Sequence, residues 1–183
     1  MKFGRLNGDA TWRFTLGGVR VLFDPWLVGS EIDYARWFNE AWHTDPVVPP
    51  EDAGGFDLIV ISQPYADHCH PATLERLEGE RAVVPGCSVP GLAIPPWGTE
   101  PLRFGGLRLW RLSRPWFRPP AYHAIVVADD QDRAVLHAPH GLPASVAVAL
   151  QGLSFELVAV TRARYQLPFF LGGAVNPGDA DAA

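Results

Sequence analysis

What this chain has little of sets its first limits. Lys2 is its only lysine, and the other basic residues are arginines scattered without a cluster. With a formal net charge of −5, nothing resembles a stripe that could track a phosphate backbone, so nucleic acid is not an expected partner. Two cysteines, Cys69 and Cys87, do not make a disulfide framework. No apolar run approaches the ~20 residues of a membrane-spanning helix, so no membrane partner is expected. The start, Met1-Lys2-Phe3-Gly4-Arg5, leads into a polar turn and not into the apolar stretch of a secretory signal. The expected address is a reducing cytoplasm.

What is present suits one well-filled globular core. Hydrophobic residues make up 48% and charged residues 19% of 183. The expected organisation is one domain over residues 1–177, followed by a frayed tail at 178–183. Strands are predicted at Lys2–Leu6, Thr11–Leu16 and Val19–Phe23, the last two joined by Gly17-Gly18, a hairpin signal. Ile32, Tyr34, Trp37, Phe38 and Trp42 suggest a short helix or lid over 31–42. A strand at 57–62 precedes a helix with Pro71 in its first turn and Thr73 to Leu77 in its body. Further strands are expected at Arg81–Val84, Leu107–Leu112, His123–Ala128, Ala134–His137 and Leu157–Thr161. Helical composition marks Ala144–Leu150, and a helical turn could fall within Val89–Ile94. Hairpins, a strand–helix–strand unit and a meander together make a mixed α/β layered domain.

Chemistry concentrates just after the fourth long strand. The apolar run Leu58–Ile61 ends in Ser62-Gln63-Pro64-Tyr65-Ala66-Asp67-His68-Cys69-His70, then Pro71. Asp67, His68 and His70 are metal-ligating residue types within four positions, at the carboxyl end of a buried strand, where α/β proteins place their sites. A plainer account is that Asp67 caps the helix behind it and that His68 and His70 satisfy buried carbonyls. His137 reads as a packed or surface residue, and His123 and His43 as structural ones. Cys69, between two histidines, could be a soft ligand, although a neighbour in a strand or turn usually faces the other way. Tyr34, Trp37, Trp42, Trp97, Trp116 and Phe117 fall in predicted loops, where they either wall an apolar pocket or plug the top of the domain. Arg114 and Arg118 could pair a carboxylate or phosphate there.

Three motifs carry a family resemblance. Gly8-Asp9-Ala10-Thr11 followed by Gly17 to Leu27, with Asp24-Pro25 at its turn, is similar to the N-terminal hairpin of metallo-β-lactamase-fold proteins. The stretch Asp57–His68 stands where that family carries His-x-His-x-Asp-His, and Ala134–Gly141 resembles the strand ending in its metal-bridging Gly-Asp. The resemblance implies a four-layer αββα sandwich of mixed sheets, here shortened at the C-terminus. The departures are equally specific. Gln63 and Tyr65 replace the two leading histidines, Ser113-Arg114-Pro115-Trp116 stands where the next is expected, Pro139-His140 replaces Gly-Asp, and no histidine follows His140. The pattern Ser-Gln-x-x-x-Asp-His-x-His resembles a degenerate subfamily in which the first metal site is lost.

The resemblance implies a hydrolase-like protein with at most one metal ion, held by Asp67, His68 and His140, with His70 the next candidate. Water activated there would attack an ester, amide or phosphodiester, making Asp67 and His68 the catalytic candidates. The donor set suits zinc, nickel or iron(II) better than magnesium or calcium. Asp24 could orient one imidazole, and Asp9, Gln63, Tyr65 and Trp116 would stand around the site. The rival reading is a non-catalytic binding module with no metal, in which Gln63 and Tyr65 fill the vacated site with hydrogen bonds. The first implies a small-molecule substrate and the second a small-molecule or protein ligand, and an oligomer is compatible with both.

Overall fold

The computed structural model describes residues 1–32, 35–37, 40–113, 122–142 and 148–160. In chain order these residues form β1 (Lys2–Arg5), β2 (Trp12–Leu16), β3 (Val19–Phe23), β4 (Glu31–Ile32) and β5 (Glu40–Ala41). Next come β6 (Leu58–Ile61), α1 (Pro71–Leu74), β7 (Glu80–Val83), β8 (Leu92–Ala93), β9 (Leu102–Phe104) and β10 (Leu107–Ser113). The rest are β11 (His123–Ala128), β12 (Arg133–His137), a 3-10 turn at Val148–Leu150 and β13 (Ser154–Ala159).

Two mixed sheets stack face to face. The first has the order β1-β2-β3-β6-β7-β8, and the second β13-β12-β11-β10-β9. Gly17 and Gly18, at φ of 56° and 83°, make the tight turn that lets β2 and β3 pair. From β3 onward the first sheet is parallel. Side-chain parity then sorts the apolar residues into three layers. Val21, Phe23, Leu58 and Val60 point between the sheets and meet Leu109, Ile125, Val127 and Val135. Leu22, Ile59 and Ile61 point to the outer side of the first sheet, onto Leu74 and Leu77. Leu112, Ala124, Val126 and Leu136 point outward from the second sheet, onto Leu150. Strands buried on both faces are apolar throughout, which is why Leu58–Ile61 reads as a continuous run. The sandwich is the expected one, although among the described residues its helical layers amount to α1 and one 3-10 turn.

Local expectations fail where a neighbour decides the conformation. The segment expected as a short helix or lid over 31–42 contributes, among the described residues, a two-stranded ribbon, β4 with β5. Ile32, Trp37 and Trp42 recur every five residues, a spacing that walks around a helix and never lines one face. The turn expected within Val89–Ile94 is instead β8, which adds to the edge of β7 through Leu92 and Ala93. Pro90 disfavours helix at the residue before it, and the open edge supplies partners. β9, for which the sequence offers no separate expectation, pairs with β10 through Leu102–Leu109 and Phe104–Leu107. The last strand begins earlier than expected, because parallel pairing with β12 sets its register from Arg133–Ser154 to His137–Ala159. Residues 143–147, most of the expected C-terminal helix, lie outside the described residues, as does the expected tail at 178–183.

Candidate functional site

The carboxyl ends of β3, β6 and β12 come together at one end of the sandwich. β3 ends at Asp24, a buried residue at φ 42°, in a region that glycine favours and Asp tolerates because its side chain can bond locally. Its backbone N–H donates to Val60 O at 3.0 Å, which fixes it beside the end of β6. There the Ser62 backbone N–H donates to Asp24 Oδ1 at 2.7 Å and the Ser62 hydroxyl to Oδ2 at 2.5 Å. The same Oδ2 accepts from His68 Nδ1 at 2.9 Å and from His137 Nε2 at 2.6 Å. Asp24 is thus a hub that ties both sheets together.

His137 reaches the hub because of strand parity. It pairs with Ile125 and shares its inward-facing side, so its ring crosses the sandwich and stacks on Phe23 at 4.3 Å. The packed role read from sequence is there, but the hydrogen bond to Asp24 was not legible. The one available signal was a polar residue at the inward position where an apolar strand ends.

His68 has one nitrogen committed and one exposed to chemistry. Nδ1–H donates to Asp24, so Nε2 points the other way. That buried Nε2 lies 3.3 Å from Asp67 Oδ2, near enough for charge attraction yet misaligned for a hydrogen bond. Burial alone would push the His68 imidazole down, but the carboxylates of Asp67, Asp24 and Asp9 overcome it and push the ring up to about 10. Asp24 shows the reverse. Burial would raise its carboxyl, yet His68 and His137 hold it far below the ordinary carboxylate range. Asp9 is raised above its ordinary value by burial and by Asp67 and Asp24, against the attraction of His68. Its turn is anchored by Asn7, which accepts from the Asp9 backbone N–H and donates to Thr11 and to Trp26 O. Thr11 in turn donates to Asp24 O at 2.7 Å.

The other candidates separate into those near this cluster and those committed elsewhere. The His140 ring stands 5.4 Å from that of His68 and packs edge-on against Tyr122. The Tyr65 carbonyl accepts from the backbone N–H groups of His68 and Cys69, closing the turn that presents Asp67, while its ring neighbours Tyr122. His70 is the helix N-cap, the role the plainer reading gave to Asp67. Its Nδ1 accepts from the Thr73 hydroxyl and backbone N–H, and its Nε2 approaches Ser30 O at 3.3 Å. With both nitrogens engaged, His70 is not placed to ligate. Gln63 is buried and bridges to the second sheet, donating to His123 O at 2.8 Å and accepting from His123 N–H at 3.2 Å.

Among the described residues, Trp37, Trp42 and Trp97 do not share a pocket wall. Trp37 and Trp42 are 85% and 62% exposed, and Trp97 packs edge-on to Trp110 behind the second sheet. Tyr34, Trp116, Phe117, Arg114 and Arg118 lie outside the described residues.

A divalent ion fits this donor set at one point. His68 Nε2 is a buried nitrogen with no hydrogen bond, its other nitrogen is oriented by a carboxylate, and Asp67 offers an oxygen beside it. Among the described residues, no three His, Cys, Asp or Glu side chains already converge as a full ligand set. No helix among them is long and apolar enough to cross a membrane.

Two mixed sheets with an Asp-His cluster at their strand ends define a metallo-β-lactamase-like sandwich. The model of the family described as "Beta-lactamase superfamily domain" matches residues 5–165, and the chain belongs to that family. Among solved structures, an isothiocyanate hydrolase from Delia radicum gut bacteria is similar, with a TM-score of 0.60 at 16% identity, covering 86% of this chain and 70% of that one. A metallo hydrolase from Ignicoccus hospitalis aligns with a TM-score of 0.52 at 16% identity, covering 87% and 81%. At such identity the likeness is one of fold. The inactive cytidine monophosphate-N-acetylneuraminic acid hydroxylase of Homo sapiens is 37% identical over 70 residues, 38% of this chain and 13% of that protein. The hydroxylase of Pongo pygmaeus matches over the same length, 12% of its own. The chain therefore spans a small part of these relatives.

Proposed function

We propose that the protein is a hydrolase-like member of its family that uses one divalent transition-metal ion at Asp67 and His68, with His140 as the third ligand. The observation that carries this reading is the oriented His68. A fully buried carboxylate holds its Nδ1–H, leaving Nε2 without a hydrogen bond beside Asp67. A cation held there supplies the positive charge that acidifies water and polarises a carbonyl or phosphoryl oxygen. The chain's own residues do the rest. Asp24 keeps His68 in one tautomer, Asp67 accepts a proton from attacking water, and Asp9 adds negative charge that favours the cation. The substrate class is a small-molecule ester, amide or phosphodiester. The mixed nitrogen and oxygen donors suit zinc, nickel or iron(II).

A second reading is favoured by Gln63. It fills the position of the first metal ligand with two hydrogen bonds to His123, as a binding module without catalysis would.

Metal content separates the two. Protein purified without added metal should carry about one zinc, nickel or iron per chain. His68→Ala and His140→Ala should each lose at least tenfold in affinity. Because the metal-free His68 ring holds its proton up to about 10, binding must expel that proton. Affinity should therefore rise about tenfold per pH unit across the neutral range. Absence of metal, with melting unchanged by chelator, would favour the binding module.

A further inference from the structure

Beneath the loop that presents Asp67 and His68 lie two free thiols. Cys69 is buried in the apolar layer behind the first sheet, together with Ile61 and Leu74, and the half-buried Cys87 packs against the same layer from the loop after β7. The two thiols neighbour one another, each perturbing the other's ionisation, Cys69 downward and Cys87 upward. On the other side, the Cys87 sulfur stands 3.6 Å from Gln63 O. The loops approach closely, since a Cβ added at Gly86 would already lie 3.5 Å from Pro64 Cβ. Thiol beside thiol, between two loops so close, asks for little backbone movement before a bond forms.

We propose that Cys69 and Cys87 form a redox-modification site that closes into a disulfide when a hydroperoxide reaches it through the partly exposed Cys87. With hydrogen peroxide the balance is simple. Each thiol gives up one proton and one electron, the two sulfurs bond, the O–O bond breaks, and the peroxide takes the two protons and two electrons to leave as two waters. The product ties the backbone next to His68 to the loop after β7, enclosing α1 and β7 between the linked residues. This rests on the placement of the thiols and not on the metal reading, so its test uses protein stripped of metal.

The experiment exposes the full-length, chelator-treated chain to about one equivalent of hydrogen peroxide, then counts thiols after denaturation and measures intact mass. The expected result is loss of both thiols, a mass lower by two hydrogens in an unlinked monomer, and full reversal by dithiothreitol. Peptide mapping should join the segments holding Cys69 and Cys87. Cys87→Ser, at the less buried position, should form no internal bridge. Persistence of both thiols, addition of oxygen without loss of hydrogen, or linkage only between chains would overturn the proposal. Each readout is independent of activity, so a failed metal assignment leaves the outcome legible.

Discussion

His68 and His123 are both buried where the strands of the two sheets end, and they are driven in opposite directions. Burial alone pushes either imidazole toward neutrality. Around His68 stand Asp67, Asp24 and Asp9, and the ring is raised to about 10. Around His123 burial is the larger influence, and among the described residues the Arg111 guanidinium adds to it, leaving the ring at about 4. Arg111 reaches it through Ser113, whose hydroxyl lies 2.9 Å from Arg111 Nη1 and 3.0 Å from His123 Nδ1. The lesson is that a buried histidine takes its character from the sign of the charges its fold assembles. One region is built to hold positive charge, and the other to exclude it.

The largest effect should come from destroying the first region's hub. Asp24→Ala leaves two imidazoles and Ser62 buried without their common acceptor, and should cost about 3–5 kcal/mol in urea unfolding. If the loss is below about 1 kcal/mol, the contrast between the regions is misjudged. Next in size is Gln63→Ala, which strips the end of β11 of both backbone partners and should cost about 1–3 kcal/mol.

The pH dependence of metal-free protein sharpens the comparison through its sign. The raised His68 contributes stability that is fully present below an unfolded pKa of about 6.5 and is lost as pH rises toward about 10. The depressed His123 contributes stability that is present above about 6.5 and is lost as pH falls toward about 4. Each limb should have a slope of at most about 1.4 kcal/mol per pH unit. Proton NMR titration of the ring resonances should find His68 still charged at neutral pH and His123 still neutral at pH 5. The smallest change should come from Arg111→Met. Because burial outweighs the guanidinium, His123 should titrate higher than in the native protein yet stay below its ordinary value.

How much of this was legible in the sequence depended on how local each cause is. The core strands Val19–Phe23 and Leu58–Ile61 announce themselves because parity and a glycine turn act within a few residues. The cluster Asp67-His68 was legible as a motif, and its turn is closed by Tyr65 within the same stretch. His70 belonged to the same pattern, yet the nearby Thr73 turned it into a helix cap. The β4–β5 ribbon and β8 were misread, because short segments follow whichever strand edge is open to them.

The sequence by itself determined a layered α/β domain and the strand end at which Asp67 and His68 stand, since alternation and strand-end polarity are written residue by residue. Only the tertiary structure decided that one carboxylate, Asp24, would serve both His68 and His137, which lie 44 and 113 positions away along the chain. It also decided that Gln63 would pair with His123 across 60 positions. Hydrogen bonds and charges act over a few ångströms, and no spacing in the chain records which distant strands folding will bring within that reach.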